Sequence, residues 1–569
     1  MSPLREAHAA VRSGQSAPVG LRGADLLSDE LLNKDSAFSA DERASLGLVG
    51  LLPPQVLDIE AQVALELEHV RRKSDPLERY IGLAALQDRN ETLFYRVLIE
   101  NLEEFMPIVY TPTVGLACQR FSHILRYARG IWVTPADAGR VADVLRNATR
   151  DDIRLIVVTD NERILGLGDQ GCGGMPIPVG KLTLYTAGAG IYPAYTLPVS
   201  LDVGTDNQAL RDDPFYLGWR HPRLRGQAYD DLVEEFVEAV LEVYPHTVLQ
   251  WEDFKQHNAI RLLDRYRRRI ASFNDDIQGT GAVVTSGIIA ACRLKKEPLS
   301  AQRFVLLGAG AAGIGIARTL RAALRADGAS EDEIRRAILL ADSHGLVRKD
   351  RDGLDADKVE VALGPEDAAA LGLDGPAVDL ATIVRAVRPG FLIGTSGQPG
   401  AFTEEMIRAM AEHTAVPVVM PLSNPTDKTE AAPADILAWT EGRALIATGS
   451  PFAPIDVGGA TRVIGQANNV FIFPGLGLGA IVSETREVTD ELFLVAARTL
   501  AAHVSDDRLA TGSLYPSVGD LRKVSRAIAI EVARYAREAG SGRGYRDDQL
   551  EAAVDAAIWY PEYVSYRPV

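Results

Sequence analysis

The stretch RFVLLGAGAAGIGIARTL, residues 303–320, constrains the fold more than any other. An apolar run leads directly into Gly308, Gly310 and Gly313, spaced G-x-G-x-x-G, and an alanine-rich helical pattern follows. Glycines at these positions let a strand-to-helix turn tighten. They also let the backbone approach a pyrophosphate, which then lies at the positive end of the helix. The triplet alone is a weak signal, and a purely structural glycine turn is the competing reading. Its setting strengthens it, because the next apolar run, AILLAD, ends in Asp342, where an acid would hold a ribose hydroxyl. The gap from Gly313 to Asp342 exceeds the usual ~20 residues, and GASEDEIRR is expected to extend the intervening helix. A dinucleotide-binding, Rossmann-like unit is expected here.

Further runs, FLIGTSG, VPVVMPLSNP and ALIATGS, continue the strand-helix order and predict a doubly wound parallel sheet. The first 130 residues differ in texture. IEAQVALELEHVRRK and ETLFYRVLIENLEEF carry helical spacing, with Pro53-Pro54, Pro76 and Pro107 punctuating successive helices, so an amino-terminal helical domain is expected. From residue 153, short apolar runs such as IRLIVVTD and LPVSLDVGT alternate with helices such as YDDLVEEFVEAVLEVY, which indicates an α/β domain. Several domains are expected on size as well, since 569 residues exceed what one core supports. No internal repeat is found, and only residues 540–544 resemble a linker in composition.

A net charge of -17 leaves no basic surface for a phosphate backbone, so nucleic acid is not expected as a partner. Cys118, Cys172 and Cys292 show no CxxC spacing, so neither a thiolate zinc site nor a disulfide framework is indicated, and a reducing cytoplasm fits best. The longest apolar stretch, FIFPGLGLGAIV, is too short and too rich in Gly and Pro to span a bilayer, so no membrane partner is expected.

Two acid pairs carry the chemistry. WEDF holds Glu252 and Asp253, and FNDDIQGT holds Asp275 and Asp276, each pair beside apolar residues where a carboxylate needs a compensating cation. Hard oxygen donors without nearby His or Cys suit Mg²⁺ or Mn²⁺ more than Zn²⁺. The alternatives are that Asp275 or Asp276 caps the helix beginning at GTGAVV, and that Glu252 and Asp253 belong to a solvated loop. GMPIPVGKLT resembles a nucleoside triphosphate phosphate loop but fails its spacing, since five residues separate Gly174 from Gly180 and Leu182 follows Lys181. Lys181 is either a solvated surface residue or a base whose pKa is depressed by desolvation or a nearby cation. A divalent ion beside a nicotinamide suits hydride removal that yields a 2-keto acid, followed by loss of CO₂.

YTPTVG, DNERILGLGDQG, VGKLTLYTAGAGIYP, LDVGT, YLGWRHPR, QWEDF, FNDDIQGT, LSNPT and GQANNVFIFPGLGLG occur in the order seen in malic enzymes. The chain resembles the large-type, NAD-dependent members of that family from about residue 31 to its end. The resemblance implies an α/β multidomain fold in four parts. These are an amino-terminal helical domain (1–130), an α/β malate- and metal-binding domain (131–275, completed by about 467–538), a Rossmann-like NAD-binding domain (276–466) and a carboxy-terminal tail (539–569). It implies Glu252, Asp253 and Asp276 as ligands of Mg²⁺ or Mn²⁺, with Asp275 a catalytic neighbour. Tyr110 matches the family's general acid and Lys181 its general base. Arg163 matches the residue that grips the substrate carboxylate near the nicotinamide, and Asn424, Asn468 and Asn469 match substrate and nicotinamide contacts. Asp276 also borders the cofactor, and Asp342 and Arg351 border its adenosine end. A homodimer or homotetramer acting on malate is implied.

Pro176 stands where the family's GMGIPVGK has Gly, and NKDSAF where NKGTAF-like forms are common; neither removes a chemical group. The fumarate site of animal mitochondrial relatives uses two arginines. Arg89 matches one and Glu68 stands at the other, so fumarate activation is not expected. Asp342 would repel a 2′-phosphate, whereas Ser343 with Lys349 or Lys358 would accept one; NAD is favoured over NADP. A malolactic enzyme, which releases lactate and retains NAD, shares most of these motifs. A non-catalytic NAD-binding protein would have lost acid, base or ligand residues, and none is lost.

Overall fold

The computed structural model describes residues 3–148, 152–375 and 377–569. Helices Ile59–Arg71, Pro76–Arg89, Glu91–Glu100, Leu102–Val109 and Thr113–Ile124 build most of the amino-terminal region. Asp58, Asp75 and Asn90 accept backbone N–H bonds at the starts of the first three, satisfying donors that a helix start leaves open. Pro76 occupies the first turn of its helix, as its missing N–H allows. Pro107 departs from expectation: it lies inside Leu102–Val109 rather than between helices. That helix ends two residues later, and Tyr110 is its terminal cap.

The first sheet has five parallel strands in the order Ile131–Val133, Thr196–Leu201, Leu155–Thr159, Val248–Trp251, Ser272–Asn274. The second has seven, in the order Gly465–Gln466, Leu445–Thr448, Val418–Pro421, Phe391–Gly394, Phe304–Leu307, Ile338–Asp342, Gly345–Leu346. All its pairings are parallel except the short edge strand Gly345–Leu346. Alternation along each strand divides the core. Phe304, Leu306, Leu340, Ile393 and Met420 join one cluster, while Val305, Leu307, Leu339, Leu392 and Val419 join the other, so helices bury both faces. Strand Phe304–Leu307 lies between Phe391–Gly394 and Ile338–Asp342. The strands that follow it are added first on one side (Ile338–Asp342) and then on the other (Phe391–Gly394), so the strand order reverses beside it, and the crevice at its carboxyl end is where such sheets take ligands.

Three sequence expectations are corrected. GASEDEIRR does not extend the helix Ala311–Ala326; most of it forms a second helix, Glu331–Ala337, opened by a Ser330–Glu333 capping box. Residues 540–544 are not a linker but the turn between helices Leu521–Glu538 and Asp547–Ala557, which pack on each other. Helix Asp275–Lys295 is long and apolar enough to cross a membrane by length and composition, which FIFPGLGLGAIV is not. It is mostly buried and packs against Ala311–Ala326 and Asp490–Ala502 as a core helix.

The carboxy-terminal tail returns to the amino-terminal region, where Tyr566–Pro568 pairs in parallel with Ala17–Val19. Lys34 and Glu42 anchor it: Lys34 Nζ donates to Val564 O at 2.6 Å, and Glu42 Oε1 accepts from Tyr566 N at 2.8 Å.

Candidate active site

Lys181 lies inside the helix Pro176–Ala189, so the glycine-lysine pair is not a phosphate loop. The helix begins with a proline, ends at left-handed Gly190 and is buried almost throughout. At Gly190 a Cβ would lie 2.8 Å from Trp559 O, so only glycine lets the tail cross there. Lys181 is 2% exposed, which settles against a solvated lysine. Its Nζ donates to Asp275 Oδ2, stands 3.0 Å from Glu252 Oε1, and lies over the rings of Phe473 (4.5 Å) and Tyr110 (5.5 Å).

Without a bound cation, the protonation state of Lys181 departs from the desolvation half of the sequence expectation. Burial does oppose the charged form, but Asp275 and Glu252 outweigh it and hold the ammonium well above the ordinary lysine range. The desolvation argument was incomplete because it omitted the acids that share the pocket. Tyr110 is buried beside it. Burial raises its hydroxyl well above the ordinary range, Lys181 opposes this and Glu252 adds to it, so the phenol stays protonated at neutral pH.

The acid pairs converge from two strand ends of the first sheet. Val248–Trp251 runs into Glu252 and Asp253, and Ser272–Asn274 runs into Asp275 and Asp276. Asp253 takes a positive φ of 56°, a backbone conformation uncommon outside glycine. One oxygen from each of Glu252, Asp253 and Asp276 lies within 4.8 Å of the others. Oxygens on opposite sides of an ion at about 2.0–2.4 Å span a comparable distance, so the trio fits Mg²⁺ or Mn²⁺. Glu252 and Asp253 are 2% and 6% exposed, not a solvated loop. Asn274, not either aspartate, caps the following turn by accepting from Ile277 N at 3.0 Å. The turn Asp275–Gly279 is π-helical, a geometry common at functional sites. Burial raises Glu252, Asp253 and Asp276; repulsion from Asp276 adds to the rise of the first two and repulsion from Asp275 to that of Asp276, while Lys181 lowers all three.

Around this centre the implied contacts divide. Asn469 Nδ2 donates to Asp275 Oδ2 at 3.0 Å, Asp275 O at 3.1 Å and Thr280 Oγ1 at 3.1 Å, so its amide orients the aspartate. Asn468 caps the turn Asn469–Phe471 through Val470 N. Arg163 is exposed, while its backbone N donates to Asp253 O at 3.1 Å. Asn424 is exposed, accepts from Ser450 Oγ at 2.6 Å and brings its carbonyl beside Gly166, in the loop that carries Arg163. Phe473 under the lysine was missed, although GQANNVFIFPGLGLG contains it.

At the second sheet, Gly308 has φ 120°, and a Cβ there would meet Thr395 Oγ1 at 2.4 Å; at Gly313 one would meet Gly308 O at 1.9 Å. Nothing lies closer than 3.6 Å to the equivalent point on Gly310, whose backbone opens the helix Ala311–Ala326 to a pyrophosphate. Asp342 ends its strand as expected, with its carboxylate engaged. Arg351 donates to Oδ1 at 2.9 Å and Oδ2 at 2.5 Å, Lys358 Nζ to Oδ2 at 3.2 Å, and His344 N to Oδ1 at 2.9 Å. Partial burial opposes ionisation, yet these donors lower its pKa to about 2.

Arg89 is committed to Asp35 Oδ2 (3.1 Å) and Glu66 Oε1 (2.8 Å), Glu68 pairs with Arg72, and Arg71 pairs with Glu104. No cation in this group is left for a dicarboxylate. Fumarate is expected to leave the malate saturation curve unchanged. A fall in apparent KM that disappears in Arg89→Ala would show the opposite.

Family models described as "Malic enzyme, N-terminal domain" and "Malic enzyme, NAD binding domain" match residues 87–267 and 277–537. The NAD-dependent malic enzyme of Sodalis glossinidius is 48% identical over 546 residues, covering 96% of each chain. That of Pseudomonas aeruginosa (strain UCBPP-PA14) is 47% identical over 546 residues, covering 96% of this chain and 97% of the other. Among solved structures, the Entamoeba histolytica malic enzyme superposes with a TM-score of 0.55 at 23% identity, over 82% of this chain and 87% of that one, a likeness of fold.

Proposed function

The chain belongs to the malic enzyme family, and from that premise we propose that it oxidises (S)-malate with NAD to pyruvate and CO₂. The observation that carries this reading is the convergence of Lys181, Tyr110 and the carboxylates of Glu252, Asp253 and Asp276 in one buried pocket.

Glu252, Asp253 and Asp276 would hold Mg²⁺ or Mn²⁺, and Gly308, Gly310 and Gly313 would admit the pyrophosphate of NAD. When bound, the cation supplies positive charge that polarises the C2 oxygen and offsets the acids around Lys181, and NAD supplies the hydride acceptor. Lys181 Nζ, once deprotonated as that added positive charge favours, removes the proton from the C2 hydroxyl. Arg163, at the mouth, pairs with a substrate carboxylate. Tyr110, kept protonated by burial, delivers a proton to C3 after CO₂ leaves. Asn469 and Asp275 keep the lysine oriented, and Asn424 and Asn468 border the substrate and nicotinamide. Arg351 and Lys358 hold Asp342 at the adenosine side, where its ionised carboxylate favours NAD over NADP.

Incubation of the purified protein with malate, Mn²⁺ and either NAD or NADP tests the reading. Pyruvate and free NADH in equal amounts are expected. Lactate without free NADH would replace it by a malolactic activity, and no product would leave a non-catalytic NAD-binding protein. Self-association into a homodimer or homotetramer is proposed on family resemblance, to be measured by light scattering. A cytoplasmic location is proposed from three buried, unpaired cysteines.

A further inference from the structure

Lys181 and Tyr185 are four residues apart on one helix, so both side chains leave the same face. Gln250 and Glu252 are two apart at the end of the strand Val248–Trp251 and reach the same side. The two pairs interlock. Tyr185 OH donates to Gln250 Oε1, Gln250 Nε2 donates to Glu252 Oε2 at 2.7 Å, and Lys181 Nζ stands 3.0 Å from Glu252 Oε1. All four side chains are buried.

The polarity of this chain follows from donor chemistry. As a metal ligand Glu252 is ionised and only accepts, so the amide NH₂ of Gln250 must face it and the amide oxygen must face Tyr185; the phenol is therefore the donor. Tyr185 is fixed in turn. Its ring packs against Phe473 at 4.8 Å, and a Cβ at Gly477 would lie 2.5 Å from Tyr185 Cε1. Helix Phe473–Ser483 thus presses the phenol toward Gln250, and both oxygens of Glu252 receive a donor from the lysine helix, one directly and one by relay.

We propose that Tyr185 and Gln250 are positioning residues for the metal centre, holding the Glu252 carboxylate in the orientation that lets it face Asp253 and Asp276. This rests on the reading of Glu252 as a metal ligand. Partners of this kind behind a ligand change metal affinity by about 10–100-fold.

Tyr185→Phe keeps the ring and removes only the relay's first donor, and Gln250→Met keeps the volume and removes both its bonds. Mn²⁺ binding, read from the EPR signal of the free aquo ion, is expected to weaken about tenfold or more in both variants. NAD affinity, read by fluorescence titration, should stay at the wild-type value, and kcat should recover when Mn²⁺ is raised to saturation. Wild-type Mn²⁺ affinity in both variants would overturn the proposal. Failure of both to fold, or equal weakening of NAD binding, would replace it by a general structural role. A wild-type protein that binds no Mn²⁺ would remove the metal reading itself and the proposal with it.

Discussion

Lys181→Ala loses malate-dependent NAD reduction by about 10²–10⁴-fold, the contribution expected of a positioned general base. The loss should appear in kcat at saturating malate and Mn²⁺, because the side chain acts on the C2 hydroxyl rather than on NAD. A second consequence follows from burial. Lys181 is the cation paired with Asp275 and Glu252, and removing one partner from a buried ion pair costs about 3–5 kcal/mol. Metal-free Lys181→Ala should therefore melt well below metal-free wild type, and Mn²⁺ should narrow the gap by offsetting the same carboxylates. The pH dependence has a definite sign. A lysine whose folded pKa lies above its unfolded value stabilises fully below that unfolded value, about 10.4, and the contribution is lost only as pH rises through the folded one. The share of the stability gap that comes from the lysine's own charge should then be lost only in strong alkali. Near-normal turnover in Lys181→Ala would remove the lysine from the mechanism.

How much of this was legible in sequence follows from which interactions are local. The glycine turn at Gly308 and the strand that ends at Asp342 were readable because turn chemistry and apolar periodicity act over a few residues. The acid pairs were readable as chemistry, yet Glu252 and Asp276 meet only because their strands are neighbours in the sheet. Lys181 illustrates the limit. Its apolar neighbours announced burial, but the acids that set its charge lie 71 and 94 residues away along the chain. The Tyr185–Gln250 relay was hidden for the same reason, since a tyrosine four residues after a lysine reads as ordinary helix core. Pro107 misled because proline usually ends a helix, whereas here the helix continues only two residues past it.

Chelation with EDTA should abolish turnover, and Mn²⁺ or Mg²⁺ should restore it while Zn²⁺ does so less well, since the donor set is three carboxylates without nitrogen or sulfur. The structural cause is charge density. Glu252, Asp253 and Asp276 are gathered within one buried pocket with Asp275 alongside, and among the described residues Lys181 is the cation in direct contact with Glu252 and Asp275. Without a divalent ion, burial and mutual repulsion raise these acids, so the folded protein takes up protons that the unfolded chain releases. An acid whose folded pKa is raised loses stability as pH climbs from the unfolded value, about 4, toward the folded one, because the unfolded state then binds fewer protons. Metal-free protein should therefore become less stable over that interval, and Mn²⁺ should reverse the trend by replacing protons with a cation. Thermal melts with and without Mn²⁺ read this as a separation that widens with pH, and calorimetric titration in two buffers of different ionisation enthalpy reads the released protons. At a hundredfold excess over its Kd the ion adds about 2.7 kcal/mol, enough to shift the melt by a few degrees in a chain of this size. Full activity after exhaustive chelation, together with melts that Mn²⁺ does not move at any pH, would mean that these acids hold no metal and that Lys181 and Arg163 compensate them.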